Sequence, residues 1–139
     1  MPRTRVLVLA ALVTAAGCGD PGPKLYPVRG TVVNKGKGSV KDLAGYIIQC
    51  QSVADPSYLP GGLVGEDGTF TIVTRVSGKE TPGVKEGTYH ARLLPQPIEG
   101  NPNPPLLVPR RYTKFDTANL QFEVKPGDND VTFEVDRDK

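Results

Sequence analysis

The chain has 139 residues, with 17 basic and 15 acidic side chains, 16 glycines, 14 prolines, two cysteines, one histidine and no tryptophan. That length suits one domain with a real core. The near-balance of charge argues against capture of nucleic acid, which needs a clustered positive face. One histidine and two cysteines argue against a dedicated zinc centre, which takes three or four such ligands.

Pro2-Arg3-Thr4-Arg5 is a basic leader, Val6 to Ala16 is an apolar run broken only by Thr14, and Ala15-Ala16-Gly17 are small residues directly before Cys18. This order describes a secretory signal peptide over 1–17. The apolar run is shorter than the roughly 20 residues that span a bilayer. With a cysteine at the cut site, the leader resembles a bacterial lipoprotein signal, although that family favours leucine where Ala15 stands. The resemblance implies cleavage before Cys18, a diacylglycerol on its thiol and an acylated amine. That covalent lipid on Cys18 is the only prosthetic group expected, and the partner it implies is a membrane. Loss of Arg3 and Arg5 leaves 15 charges of each sign in the mature chain. Anchoring then falls to acyl chains, each buried methylene contributing about 0.8 kcal/mol. Residues 18–25, with Asp20-Pro21-Gly22-Pro23-Lys24, read as a lipidated tether. In some bacteria an aspartate directly after the cysteine retains a lipoprotein in the inner membrane. Asp20 is one place later, so the outer membrane is favoured, with the domain facing the periplasm or the exterior.

Beyond the tether, period-two alternation recurs and no long helical pattern does. Tyr26 to Val33 and Tyr46 to Gln51 read as strands, and residues 61–65 as a weaker one. Phe70 and Ile72 alternate with Thr69 and Thr71 after the turn Glu66-Asp67-Gly68. Tyr89, Ala91 and Leu93 alternate with Thr88, His90 and Arg92. Leu120, Phe122 and Val124 form one apolar face, and Val131, Phe133 and Val135 another; the turn Lys125–Asn129 between them suggests a hairpin. Ser52 to Pro60 is a polar loop. Pro95 to Pro109 carries six prolines, which cannot donate to a sheet ladder, so it is a connection and not a central strand. Six or seven amphipathic strands, each with one face to bury, predict two sheets packed face to face. The fold class expected over 26–139 is all-β: a small antiparallel Greek-key β-sandwich.

These elements also carry a family resemblance. Val28-Arg29-Gly30-Thr31-Val32-Val33 resembles the V-x-G-x-V first strand of bacterial carboxypeptidase regulatory-like domains. Glu66-Asp67-Gly68-Thr69-Phe70-Thr71-Ile72 resembles their x-D-G-x-F-x-I hairpin, and Glu86-Gly87-Thr88-Tyr89 their G-x-Y strand start. Val108-Pro109-Arg110-Arg111-Tyr112-Thr113 followed by Leu120 to Val124 is similar to an element of short lipoproteins built from one such domain. The stretch Lys35 to Leu43 departs from that pattern. The resemblance covers about residues 26–136 and implies a transthyretin-like (prealbumin-like) sandwich of about seven strands, acting as an accessory or binding domain without catalysis. An enzymatic relative, the transthyretin-like hydroxyisourate hydrolase, needs several histidines and a terminal Tyr-Arg-Gly-Ser; this chain ends Asp136-Arg137-Asp138-Lys139.

No catalytic residue and no metal ligand set is expected. His90 falls on an outward face and reads as a surface histidine. Cys50 shares a face with Tyr46 and Ile48, which places its thiol in the core. Asp128, Asp130, Asp136 and Asp138 match no calcium-loop spacing and read as solvated charge, the last two at a frayed end. Arg110, Arg111 and Tyr112 form the one basic patch with an aromatic, beside the proline-rich loop, and are the candidate binding surface. The expected function is that of a non-catalytic, membrane-anchored lipoprotein whose sandwich meets an envelope protein or glycan. The alternatives are a carbohydrate- or small-ligand-binding module and a small hydrolase using the 95–109 loop as a lid.

Overall fold

The computed structural model describes residues 23–137, so the expected signal peptide, Cys18 and most of the expected tether lie outside the described residues, as does Asp138. Nine strands form where about seven were expected: β1 (Val28–Asn34), β2 (Ile47–Ser52), β3 (Gly61–Leu63), β4 (Thr69–Thr71), β5 (Val73–Val76), β6 (Lys79–Pro82), β7 (Gly87–Leu94), β8 (Leu120–Val124) and β9 (Asn129–Val135). They build two sheets, a three-stranded one in the order β4-β1-β9 and a six-stranded one in the order β6-β5-β3-β2-β7-β8. The protein is a β-sandwich, as the alternation predicts.

The alternating residues bury one face of each sheet against the other. Val28 and Val32 of β1, Phe70 of β4 and Phe133 and Val135 of β9 meet Ile48 and Cys50 of β2, Tyr89, Ala91 and Leu93 of β7 and Phe122 and Val124 of β8 in one core cluster. Aromatic rings tie the layers together. Phe70 stacks on Phe133 at 5.6 Å within one sheet, Tyr89 on Phe122 at 5.4 Å within the other, and Phe122 meets Phe133 edge-on at 5.8 Å across the gap. Such pairs add to the stabilisation that area burial provides. Gly30 has a packing reason: a Cβ there would fall 2.2 Å from the Phe70 ring. The glycine of the V-x-G-x-V strand is the slot that ring fills.

Three expectations are corrected. Leu120–Val124 and Val131–Val135 do not form a hairpin: β8 pairs antiparallel with β7, while β9 pairs with β1. The two apolar faces look toward each other across the core, as the Phe122–Phe133 contact requires, and two strands of one sheet could not do that. Asn129 makes the corner. Its side chain accepts from Lys125 N–H at 2.9 Å and donates to the Lys125 carbonyl at 2.9 Å, while its own N–H donates to the Pro27 carbonyl at 3.0 Å and starts the new ladder. Second, the sandwich is not wholly antiparallel, because β1 and β9 run parallel from Val28↔Asn129 to Asn34↔Val135. Third, β5 and β6 form a hairpin absent from the strands expected above. Ser77 (φ 49°) and Gly78 (φ 80°) make its two-residue turn, both in the left-handed region such turns demand. The signal for it was present, a Ser-Gly pair after Val73-Thr74-Arg75-Val76.

Candidate functional site

The basic segment after the proline-rich loop is a short 3-10 turn, Arg110–Thr113. Its three candidate residues diverge. Tyr112 is buried, at 2% exposure. Its hydroxyl accepts from Asp136 N–H at 2.9 Å and from the Arg111 guanidinium at 2.8 Å, and lies 3.3 Å from the Asp136 carboxylate. Arg111 pairs with Asp136 and lies over the Tyr112 ring at 4.7 Å. Asp136 therefore belongs to a latch and not to a frayed end. Arg137 extends that latch by pairing with Asp42 and donating to the Leu107 carbonyl at 3.2 Å. The Arg137 guanidinium holds the Asp42 carboxyl below its ordinary value. Arg111 stays exposed within the latch, and Arg110 is left outside it. Arg110 is exposed, and it forms no ion pair among the described residues.

The proline-rich connection has two unlike halves. Residues 96–103 are exposed and close on themselves through an Ile98–Asn101 bridge. The second half is pinned: Leu107 N–H donates to the Tyr46 hydroxyl at 2.9 Å, and Val108 is fully buried. Between this connection and the sheet lies a groove of about 810 Å³, walled by Pro95, Pro97, Pro102, Pro104 and Pro105, with Arg110 at its edge. Ile47 and Leu94, also in its lining, are directly opposite each other on β2 and β7, and Ile47 is opposite Leu63 of β3. Leu63, Ile47 and Leu94 thus make an apolar row on the outward side of the six-stranded sheet, where alternation ordinarily places polar residues. Leu63 is 55% exposed. A second groove of about 570 Å³ continues along the same row through Leu59, Leu63 and Val73. Composition gave no notice of this row; the signal was Ile47 and Ile48 in succession, which puts an isoleucine on each face.

The remaining candidates stand elsewhere. Cys50 is fully buried, and burial pushes its thiol up to about 12, which keeps it un-ionised and unreactive. His90 is half-buried on the outward side of β7, between Gln51 and Gln121 in register. Asp128 and Asp130 are exposed. Among the described residues, no three of His, Cys, Asp and Glu gather where a metal could sit. Asp67 serves the turn before β4, its carboxylate accepting from Thr69 N–H at 3.1 Å and Thr69 Oγ1 at 2.6 Å, contacts that hold it below the ordinary carboxylate value. A hydroxyl chain escaped the sequence reading. Lys85 N–H donates to Tyr58 Oη at 3.3 Å, Tyr58 meets Thr74 Oγ1 at 2.5 Å, and Thr74 donates to the Gly83 carbonyl at 2.7 Å. Each hydroxyl in it is committed to structure.

Among the described residues no helix is long and apolar enough to cross a membrane. No protein-family model and no curated protein matches the chain. A solved structure, that of a DUF3823 family protein from Parabacteroides merdae ATCC 43184, is similar at 17% identity and a TM-score of 0.47. The similarity covers 83% of this chain but 47% of that one, so the chain spans about half the length of the protein it matches.

Proposed function

We propose that this protein is a non-catalytic, membrane-anchored lipoprotein of the cell envelope whose sandwich acts as a binding or accessory domain. The anchoring half of this reading rests on residues 1–18, where a basic leader, a short apolar run and small residues precede Cys18. The similarity of Gly30, Asp67-Gly68 and Tyr112 with their neighbours to carboxypeptidase regulatory-like lipoproteins supports it. The binding half rests on one observation: the outward row Leu63–Ile47–Leu94 and the groove it enters. Leu63 is exposed and Ile47 and Leu94 are half-buried beside it, and a contiguous outward apolar patch of this kind is where a partner or ligand packs. Of the side chains with nucleophilic or acid–base chemistry, Cys50 is held in the core and Tyr112 and Asp136 in the latch, whereas His90 stands half-buried on the outward side of β7.

Two measurements test the halves separately. Mass analysis of the mature amino terminus in membranes is expected to find an acylated Cys18, and Cys18→Ala is expected to leave the membrane fraction. A mature chain that starts elsewhere, without acyl groups, overturns anchoring. A photocrosslinking residue placed at Leu63 is expected to capture one stoichiometric partner, and the same residue at Glu134, exposed on the other sheet and outside the grooves, none. Equal capture from both positions overturns the assignment of the face.

A further inference from the structure

We infer that the proline-walled groove holds a small amphipathic monoanion, with an apolar body against the walls and a single carboxylate at Arg110. The inference deepens the binding-domain reading and rests on it. Size is the first support: about 810 Å³ lies within the roughly 300–1,000 Å³ of small-molecule sites. The second is what the wall lacks. Pro95, Pro97, Pro102, Pro104 and Pro105 have no backbone N–H. The five prolines therefore offer carbonyl acceptors without donors, which leaves side-chain donation in the groove to Arg110 and Asn103 alone. A sugar or other polyol, which needs both, would leave hydroxyl groups half satisfied as water is expelled. An apolar body asks for neither.

The third support is charge. Arg110 is the one ionised side chain in the lining, and its guanidinium meets no carboxylate among the described residues. One guanidinium offers a planar fork that fits one carboxylate with two parallel hydrogen bonds. Asn103 supplies the only side-chain amide beside it. Preformation is the fourth. Proline fixes its own φ, and the wall at Pro104, Pro105 and Leu106 runs directly into Leu107, held by Tyr46 and Arg137, and Val108, in the core. A wall already ordered loses little freedom when a ligand arrives.

The test uses the full chain in isolated membranes. A decanoate bearing a diazirine is photolysed with the protein, and the labelled residues are mapped by mass spectrometry. Labelling is expected within 94–110, competed by excess decanoate, and about ten-fold weaker with the matching diazirine decylamine. Arg110→Gln is expected to weaken it about ten-fold and Arg110→Lys much less. Because Arg110 is exposed, the substitution leaves the fold in place. Equal labelling by acid and amine, unchanged labelling of Arg110→Gln, or failure of decanoate to compete would each overturn the inference. If partner capture from Leu63 persists while decanoate fails, the binding-domain reading stands and only the ligand class falls.

Discussion

The two sheets obey the same alternation inward and differ outward. The outer side of the three-stranded sheet is nearly all polar: Thr71, Arg29 and Asp130 lie in one register row, and Thr69, Thr31 and Thr132 in the next. The groove on that face, about 830 Å³, is lined mainly by these polar side chains, with Leu63 at its border. The six-stranded sheet instead turns Leu63, Ile47 and Leu94 outward and lays a proline-rich connection beside them. Inward, both sheets are bound by the same physics of burial and close packing. The difference teaches where to look: a buried apolar residue reports on stability, whereas an outward apolar row reports on something the fold alone does not need.

The comparison can be broken or sharpened by substitution. The largest effect should come from the shared interior. Phe133→Ala removes a ring that touches both Phe70 and Phe122, and urea denaturation should show a loss of about 3–5 kcal/mol in one cooperative transition. Two separate transitions would mean the sheets do not share a core. Next, Gly30→Ala drives a methyl into the Phe70 ring; overpacking of this kind should lower stability by about 1–3 kcal/mol.

The buried thiol gives a pH signature. Cys50 is raised from 9.0 to about 12 by burial, so the folded state keeps its proton where the unfolded chain releases it. Its contribution to stability is therefore complete below 9.0 and is lost between 9.0 and about 12, with a slope of at most about 1.4 kcal/mol per pH unit. Cys50→Ala should flatten that alkaline limb. It should not abolish it, because the Tyr89 hydroxyl is raised in the same direction, first by burial and then by Tyr58 and Cys50. Stability curves that coincide for the two proteins above pH 9 would place the thiol in contact with water.

The smallest stability effects separate the outer faces. Leu63→Ser and Glu134→Ala are each expected to change stability by no more than about 0.5 kcal/mol. Partner capture should fall with the first and not with the second. A large stability loss from Leu63→Ser would turn the outward row into a structural element.

Where the sequence was legible, the reason was local. Tyr89, Ala91 and Leu93 alternate cleanly and are all buried, and Cys50 went to the core with Tyr46 and Ile48. The prolines of 95–109 kept that segment out of the sheets, as their missing N–H groups require. What failed was partner choice. Alternation states that Phe122 and Phe133 each face inward, but not that they face inward from opposite sheets, and a turn between them is equally consistent with a hairpin and a corner. The basic patch was legible only in part: Arg111 is exposed, but Tyr112, read with it as one binding surface, is buried. Only the arrival of Asp136, 25 residues later in sequence, shows that they close the molecule.

The parallel pairing of β1 with β9 has a mechanical meaning. The chain enters the ladder at Val28, beside Asn129, and leaves it at Val135, beside Asn34. At that far end Arg137 grips the Leu107 carbonyl of the proline-rich connection. Tension between the residues before Val28 and those after Val135 would run along both strands. The hydrogen bonds of the ladder would then bear it together, in shear, whereas a hairpin pulled from its open end would lose its bonds singly, in succession. A domain strung this way resists pulling best along the line from Val28 to Val135.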